Sequence, residues 1–132
     1  GVEALFPDVS HWYIGGHSLG GSMAASCANT HEGMFEGVVL LASYSTVDIT
    51  DLRVLSVYGS NDKVCTYQDR EKYRENLPDS FSDKLFTKEI IGGNHAYFGM
   101  YGKQDDDGEA TIENIDQIKQ TAKAIAEFII QK

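Results

Sequence analysis

Three short stretches of the chain carry residue types that can act together on an acyl carbon. Ser18 lies in Gly16-His17-Ser18-Leu19-Gly20, a G-x-S-x-G pattern between an apolar run and a stretch rich in Ala, Ser and Met. A serine hydroxyl is a poor nucleophile until a base takes its proton and a third group holds that base. His95, in the loop "IIGGNHAYF" directly after an apolar run, is the candidate base. Asp62, in "VYGSNDKV" just past another run, is the candidate orienting carboxylate. A helix starting after Ser18 would aim the backbone N–H of Leu19 at a developing oxyanion.

The glycines around Ser18 fit the mechanics of a sharp strand-to-helix turn, where the serine is strained and its neighbours must lack side chains. A phosphate loop is the rival reading. It would need G-x-G-x-x-G or G-K-[ST], and neither is present. Nor does an acidic residue end the next apolar run to hold a ribose. The other histidines read as surface or packing residues. His17 adjoins Ser18 but alternation points it the other way, His11 precedes the run, and His31 lies past the following helix. Among the aspartates, Asp48 and Asp51 precede a strand and belong at the opposite edge, while Asp69, Asp79 and Asp83 fall in or near a charged helix.

Four apolar runs must position these groups: residues 12–16, 37–42, 53–58 and 84–91. The second and third are nearly continuous in Val and Leu, as strands buried on both faces of a parallel sheet are. The fourth alternates, as an edge strand with one wetter face would. Helical signals occupy 19–28, 66–76 and 112–131, the last with Thr111 as N-cap. Its apolar stripe is Ile112, Ile115, Ile118, Ala122, Ile125, Ala126 and Ile129. This order predicts an α/β fold, a mostly parallel sheet with flanking helices. Only ten residues separate Ala42 from Arg53, which leaves no room for an inserted lid domain.

The order Ser18, Asp62, His95 is nucleophile, acid, base, the order of the α/β-hydrolases. With "GGHSLGGSMAA", "GSNDKV" and "GGNHAYFGMYGKQ" as the carrying motifs, the chain resembles the C-terminal half of an α/β-hydrolase fold. It is similar to bacterial esterase- and dienelactone-hydrolase-like members. The resemblance implies a serine hydrolase acting on carboxylic esters or related acyl compounds, with no cofactor and no metal. An acyltransferase, thioesterase or peptidase on the same triad, or an inert piece or interaction module, are the alternatives. In the family the nucleophile turn follows the fifth strand, so the resemblance also implies a single partial domain at 1–132 without its earlier strands. The loop that brings the second oxyanion donor would be among the absent parts. The strand at 12–16 would then offer a bare apolar edge, expected to self-associate or to pair with the missing half.

Composition narrows the partners. A net charge of −9 argues against nucleic acid and anionic membranes, which need a basic footprint. Hydrophobic residues at 42% and charged residues at 23% are ordinary globular values. No apolar run approaches the roughly 18 residues of a membrane span. The sequence assigns no compartment: cytoplasmic is the default, and export or membrane anchoring is expected if a signal or anchor segment lies upstream. Cys27 and Cys65 read as small, partly buried residues. Tyr97, Phe98, Met100 and Tyr101 either wall a pocket or pack under the last helix. The acidic run at 102–109 reads as a solvated turn. Its likeness to a calcium loop is faint, with Lys103 and Asn114 where ligands belong.

Overall fold

Val38, Val39 and Leu40 carry apolar side chains to both sides of their strand, so the sheet must be covered on both faces. The computed structural model describes residues 1–131. Its elements are α1 (Val2–Leu5), β1 (Tyr13–His17), α2 (Leu19–Thr30), β2 (Gly37–Leu41), β3 (Arg53–Gly59), α3 (Tyr67–Lys72), β4 (Leu85–Ile90) and α4 (Asn114–Ile130). Short 3-10 helices follow at Arg74–Asn76 and Ala96–Phe98. The four strands are all parallel in the order β1-β2-β3-β4. Register places Val38 beside Val54 and Val39 beside Leu55, so the two parities of the strands feed separate cores.

One core joins Val38, Leu40 and Val54 to Ala25 and Ala28 of α2. The other joins Val39, Leu55, Val57 and Ile90 to Phe128 of α4. Phe128 meets Tyr13 and Phe86 edge-on, at 5.7 and 5.3 Å between ring centroids. The Arg53 guanidinium lies over its ring and donates to the carbonyls of Phe128 and Gln131, capping the negative end of α4. Residues 42–52 connect β2 to β3 without a helix.

Three expectations about helices need correction. The charged segment forms α3 only to Lys72 and tightens to 3-10 geometry before Pro78. α4 begins at Asn114, with Glu113 and not Thr111 as N-cap. Thr111 is held elsewhere: its N–H donates to the Gly92 carbonyl at 2.8 Å, and its side chain fills the space a Cβ on Gly92 would need. The stripe is also rotated. Ile115 and Ile129 are exposed, and the buried residues of α4 are Gln117, Thr121 and Phe128. Polar atoms on the core side of the helix face the loop around His95 and satisfy it there, as described below.

Among the described residues β1 has a strand on one edge only. An apolar groove of about 300 Å3 lies beside it, bounded by Tyr13, Ile14, Val39, Leu41, Ile125 and Ile129 among others. The stripe residues Ile125 and Ile129 thus border this groove. β4 is the other outer strand, as expected, but it does not show one wet face: the consecutive residues Thr87, Lys88 and Glu89 are all exposed, so this stretch meets solvent on both sides.

Candidate active site

Ser18 follows β1 and is the N-cap of α2, with φ 57° and ψ −125°, a backbone conformation L residues seldom adopt. The strain is enforced by close passage of strand and helix. A Cβ on Gly16 would stand 2.4 Å from the carbonyl carbon and oxygen of Gly20, and one on Gly21 would stand 2.6 Å from Ser43 Cβ. Gly20 differs: nothing lies within 4 Å of its Cβ position. The second glycine of the pattern is therefore not demanded by collision, while Gly21, outside the pattern, is. Ser43 completes the support by donating its hydroxyl to the Ser18 carbonyl at 2.6 Å.

The three sequence-derived candidates converge at the C-terminal edge of the sheet. The His95 imidazole donates from Nδ1 to Asp62 Oδ2 at 2.9 Å and accepts the Ser18 hydroxyl at Nε2, 3.0 Å away. The His95 and Asp62 side chains are only 3% and 1% exposed. Asp62 is fixed in turn by the N–H groups of Val64 and Cys65, both at 2.8 Å from Oδ1. Burial by itself would push the His95 imidazole down. The hydrogen bond and charge of Asp62, helped by the charges of Asp107 and Asp106, outweigh it and hold the imidazole above the ordinary histidine value.

A cavity of about 260 Å3 opens on this constellation, walled by Leu19, Ser22, Ala42, Tyr44, Val64, Cys65 and Asp69. Leu19 is the first residue of α2, so its N–H belongs to the helix's unsatisfied N-terminal donors beside Ser18. Ala42, on the cavity wall, also has a positive φ of 50°. Cys65 is a buried free thiol, pushed up to about 11 by burial and by the Asp62 charge, so it stays neutral. Asp69 accepts the N–H and hydroxyl of Thr66 as the N3 member of a capping box. The N–H bond holds its carboxyl below the usual range, giving the cavity one negative wall.

Sequence reasoning missed residues around His95. His17 does not simply point away: its ring lies 4.8 Å from that of His95, and Nε2–H donates to the His95 carbonyl at 2.7 Å. Burial pushes the His17 imidazole below its ordinary value, opposite to His95. Asn94 and Gln117 are both buried and share two hydrogen bonds. Gln117 Oε1 accepts the Asn94 N–H at 3.1 Å and its amide donates to the Asn94 carbonyl at 2.8 Å. Asn94 Oδ1 accepts the Tyr97 N–H, and Asn114 donates to the carbonyls of Tyr97 and Gly99. The acidic run is no merely solvated turn, because Asp107 turns inward and accepts the N–H groups of His95 and Ala96. Among the described residues no group of three or more His, Cys, Asp or Glu could hold a metal ion. The aromatics after His95 do not line the cavity. Phe98 packs in the Phe128 core, and Tyr101 is exposed and stacks on His17. His11 pairs with Glu36, and His31 bonds Thr30 and Cys27, all away from Ser18.

These features have relatives. No curated protein matches the chain by sequence. Among solved structures, it is similar to a predicted CIB-like hydrolase from Thermoplasma acidophilum at 15% identity and TM-score 0.59, covering 92% of this chain and 53% of that one. An alpha/beta hydrolase enzyme from the metagenome of lagoon sediments at Mar Chica, Morocco, gives 15% identity and TM-score 0.57, with 94% and 66% covered. Acyl-protein thioesterase 2 of Zea mays gives 14% and 0.54, with 93% and 61% covered. The chain thus spans about half to two thirds of the length of these structures. At such identities the likeness is one of fold. The family model described as the alpha/beta hydrolase family matches residues 2–119, nearly the whole sequence, and the chain belongs to that family.

Proposed function

We propose that the chain carries the catalytic centre of a serine hydrolase that cleaves carboxylic esters or related acyl compounds. What supports this is one observation: Ser18 Oγ, the His95 ring and the Asp62 carboxylate form an unbroken hydrogen-bonded line at the mouth of a cavity. In this reading Ser18 Oγ bonds to the acyl carbon as His95 Nε2 takes its proton. Asp62 stabilises the resulting imidazolium, and the Leu19 N–H stabilises the oxyanion. His95 then returns the proton to the leaving alcohol oxygen as the ester bond breaks. Water, deprotonated by His95, releases the acid from the acyl-serine and restores the hydroxyl.

A fluorophosphonate probe tests the reading. Ser18 is expected to label, and Ser18→Ala to abolish labelling in a protein that still folds. Label that persists in Ser18→Ala, or a wild-type protein that never labels, removes the proposal. Because the base must be neutral and its imidazolium is stabilised, the acid limb of kcat/KM is expected above the ordinary histidine value. A limb below that value would contradict the role given to Asp62. Oxygen esters and thioesters of the same acyl group, compared side by side, separate the esterase reading from the thioesterase one.

A further inference from the structure

We infer that Asp107 is a positioning residue for His95: its carboxylate fixes the backbone that carries the imidazole and adds a second negative charge beside that residue. The inference rests on the catalytic reading of Ser18, Asp62 and His95. Asp107 Oδ1 accepts the His95 N–H at 3.1 Å, and Oδ2 accepts the Ala96 N–H at 2.9 Å. Both oxygens therefore act on the first turn of the 3-10 helix that His95 caps. Oδ1 also takes the Gly108 N–H at 2.7 Å, which holds the carboxylate in its own loop.

That loop is itself tied to both neighbouring turns. Asn61 donates to the Glu109 carbonyl at 3.0 Å, and Asn94 donates to the Gly108 carbonyl at 3.0 Å. Asn61 directly precedes Asp62, and Asn94 directly precedes His95. The segment 107–109 thus spans the two turns whose side chains must meet, and its Gly108 packs against the Asn61 carbonyl so closely that a Cβ would stand 1.7 Å from it. From the opposite side His17 donates to the His95 carbonyl. His95 is consequently held at its amide by Asp107, at its carbonyl by His17, and at its ring by Asp62.

The charge has a consequence beyond geometry. The ionisable groups facing His95 are Asp62, Asp107, Asp106 and His17. Asp106 spends its carboxylate on the Gln104 amide in an exposed turn, whereas Asp107 bonds the His95 backbone directly. A carboxylate so placed favours the imidazolium that forms when His95 takes the serine proton. Removing its charge must shift the imidazole toward the neutral form.

Asp107→Asn and Asp107→Ala in the full chain test this, with a thermal melt to establish folding. Asparagine keeps the size and one acceptor but turns an N–H2 toward a backbone N–H. The expected results are a His95 imidazole titrating at lower pH by NMR, and an acid limb of kcat/KM displaced the same way. With p-nitrophenyl acetate, kcat is expected to fall roughly tenfold to a hundredfold with KM unchanged, the size of loss a slightly misplaced catalytic group gives. If Asp107→Ala does not fold, the isosteric Asp107→Asn carries the measurement. An unchanged His95 titration, or an unchanged kcat, in folded Asp107→Asn overturns the inference. Should wild-type protein fail to label with a fluorophosphonate, the catalytic reading falls, and the His95 titration still decides what Asp107 does.

Discussion

The two halves of the candidate site are held in place by different physics. At the Ser18 turn the backbone is forced by contact: Gly16 passes against Gly20, Gly21 against Ser43, and no side chain fits between. At the His95 loop the backbone is held by polar side chains reaching in from elsewhere. Asp107, Gln117, Asn114 and His17 together satisfy amides or carbonyls of residues 94–99. A steric constraint is local and depends on residues being small. A hydrogen-bonded constraint is distributed and depends on residues being polar and correctly placed, since a buried donor without a partner costs about 1–3 kcal/mol. The difference says where each half should break.

Gly16→Ala is the severest test of the steric half. It removes no hydrogen bond and adds one methyl, yet that methyl would lie 2.4 Å from the Gly20 backbone, which has no side-chain rotation to relieve it. The strand and helix must separate, taking Ser18 with them. A stability loss of about 3 kcal/mol, the upper end for overpacking, is expected. Fluorophosphonate labelling should slow by about a hundredfold or more. Denaturant unfolding and labelling rate read the two effects, and a folded, fully reactive Gly16→Ala would mean that the turn is not set by contact.

Gln117→Leu is the matching test of the polar half, because it changes volume little and adds no clash. Gln117 is fully buried, and its loss leaves the N–H and C=O of Asn94 without those partners. Two orphaned groups, each at the low end of that range, are expected to cost together about 2–3 kcal/mol in denaturant unfolding. Labelling of Ser18 should fall too, since Asn94 carries His95. A neutral result would mean that the loop is held by packing, and the contrast between the halves would disappear.

The same contrast explains what could be read in the sequence. Steric constraint leaves glycine where backbones touch, here at Gly16 and Gly21, so Ser18 is legible as a candidate from the glycine cluster and the strand and helix beside it, although Gly20 of the pattern makes no such contact. Asp62 and His95 followed because both lie just past an apolar run, where a parallel sheet places its C-terminal groups. The polar supports left no such trace. Gln117 sits in a helix whose isoleucines suggested a different buried face, and its burial depends on Asn94, 23 residues away. Asp107 is one of three consecutive aspartates, and nothing in the run "DDD" tells which one turns inward. Strand alternation points His17 away from Ser18, but it fixes only the side of the sheet and not what a distant loop brings to that side. The parallel sheet and its two covered faces were legible because Val and Leu runs need no partner to declare themselves.

The smallest expected effect sharpens the comparison most, because it concerns a glycine that the G-x-S-x-G pattern itself contains. Gly20 lies in the first turn of α2, has no positive φ, and meets nothing within 4 Å of its Cβ position. A methyl there clashes with nothing, and alanine restricts the unfolded chain while favouring helix. Gly20→Ala is therefore expected to stabilise the protein by about 0.4–1 kcal/mol. Its Ser18 labelling rate should match wild type, because neither the Ser18 backbone nor the Leu19 N–H has to move. Gly21→Ala, one position on, meets Ser43 and the Gly16 carbonyl and should lose both stability and labelling. Opposite signs at adjacent glycines are what a contact-set turn requires. If Gly20→Ala is instead as damaging as Gly21→Ala, the turn depends on glycine for backbone freedom through the whole first turn, and collision is not its cause.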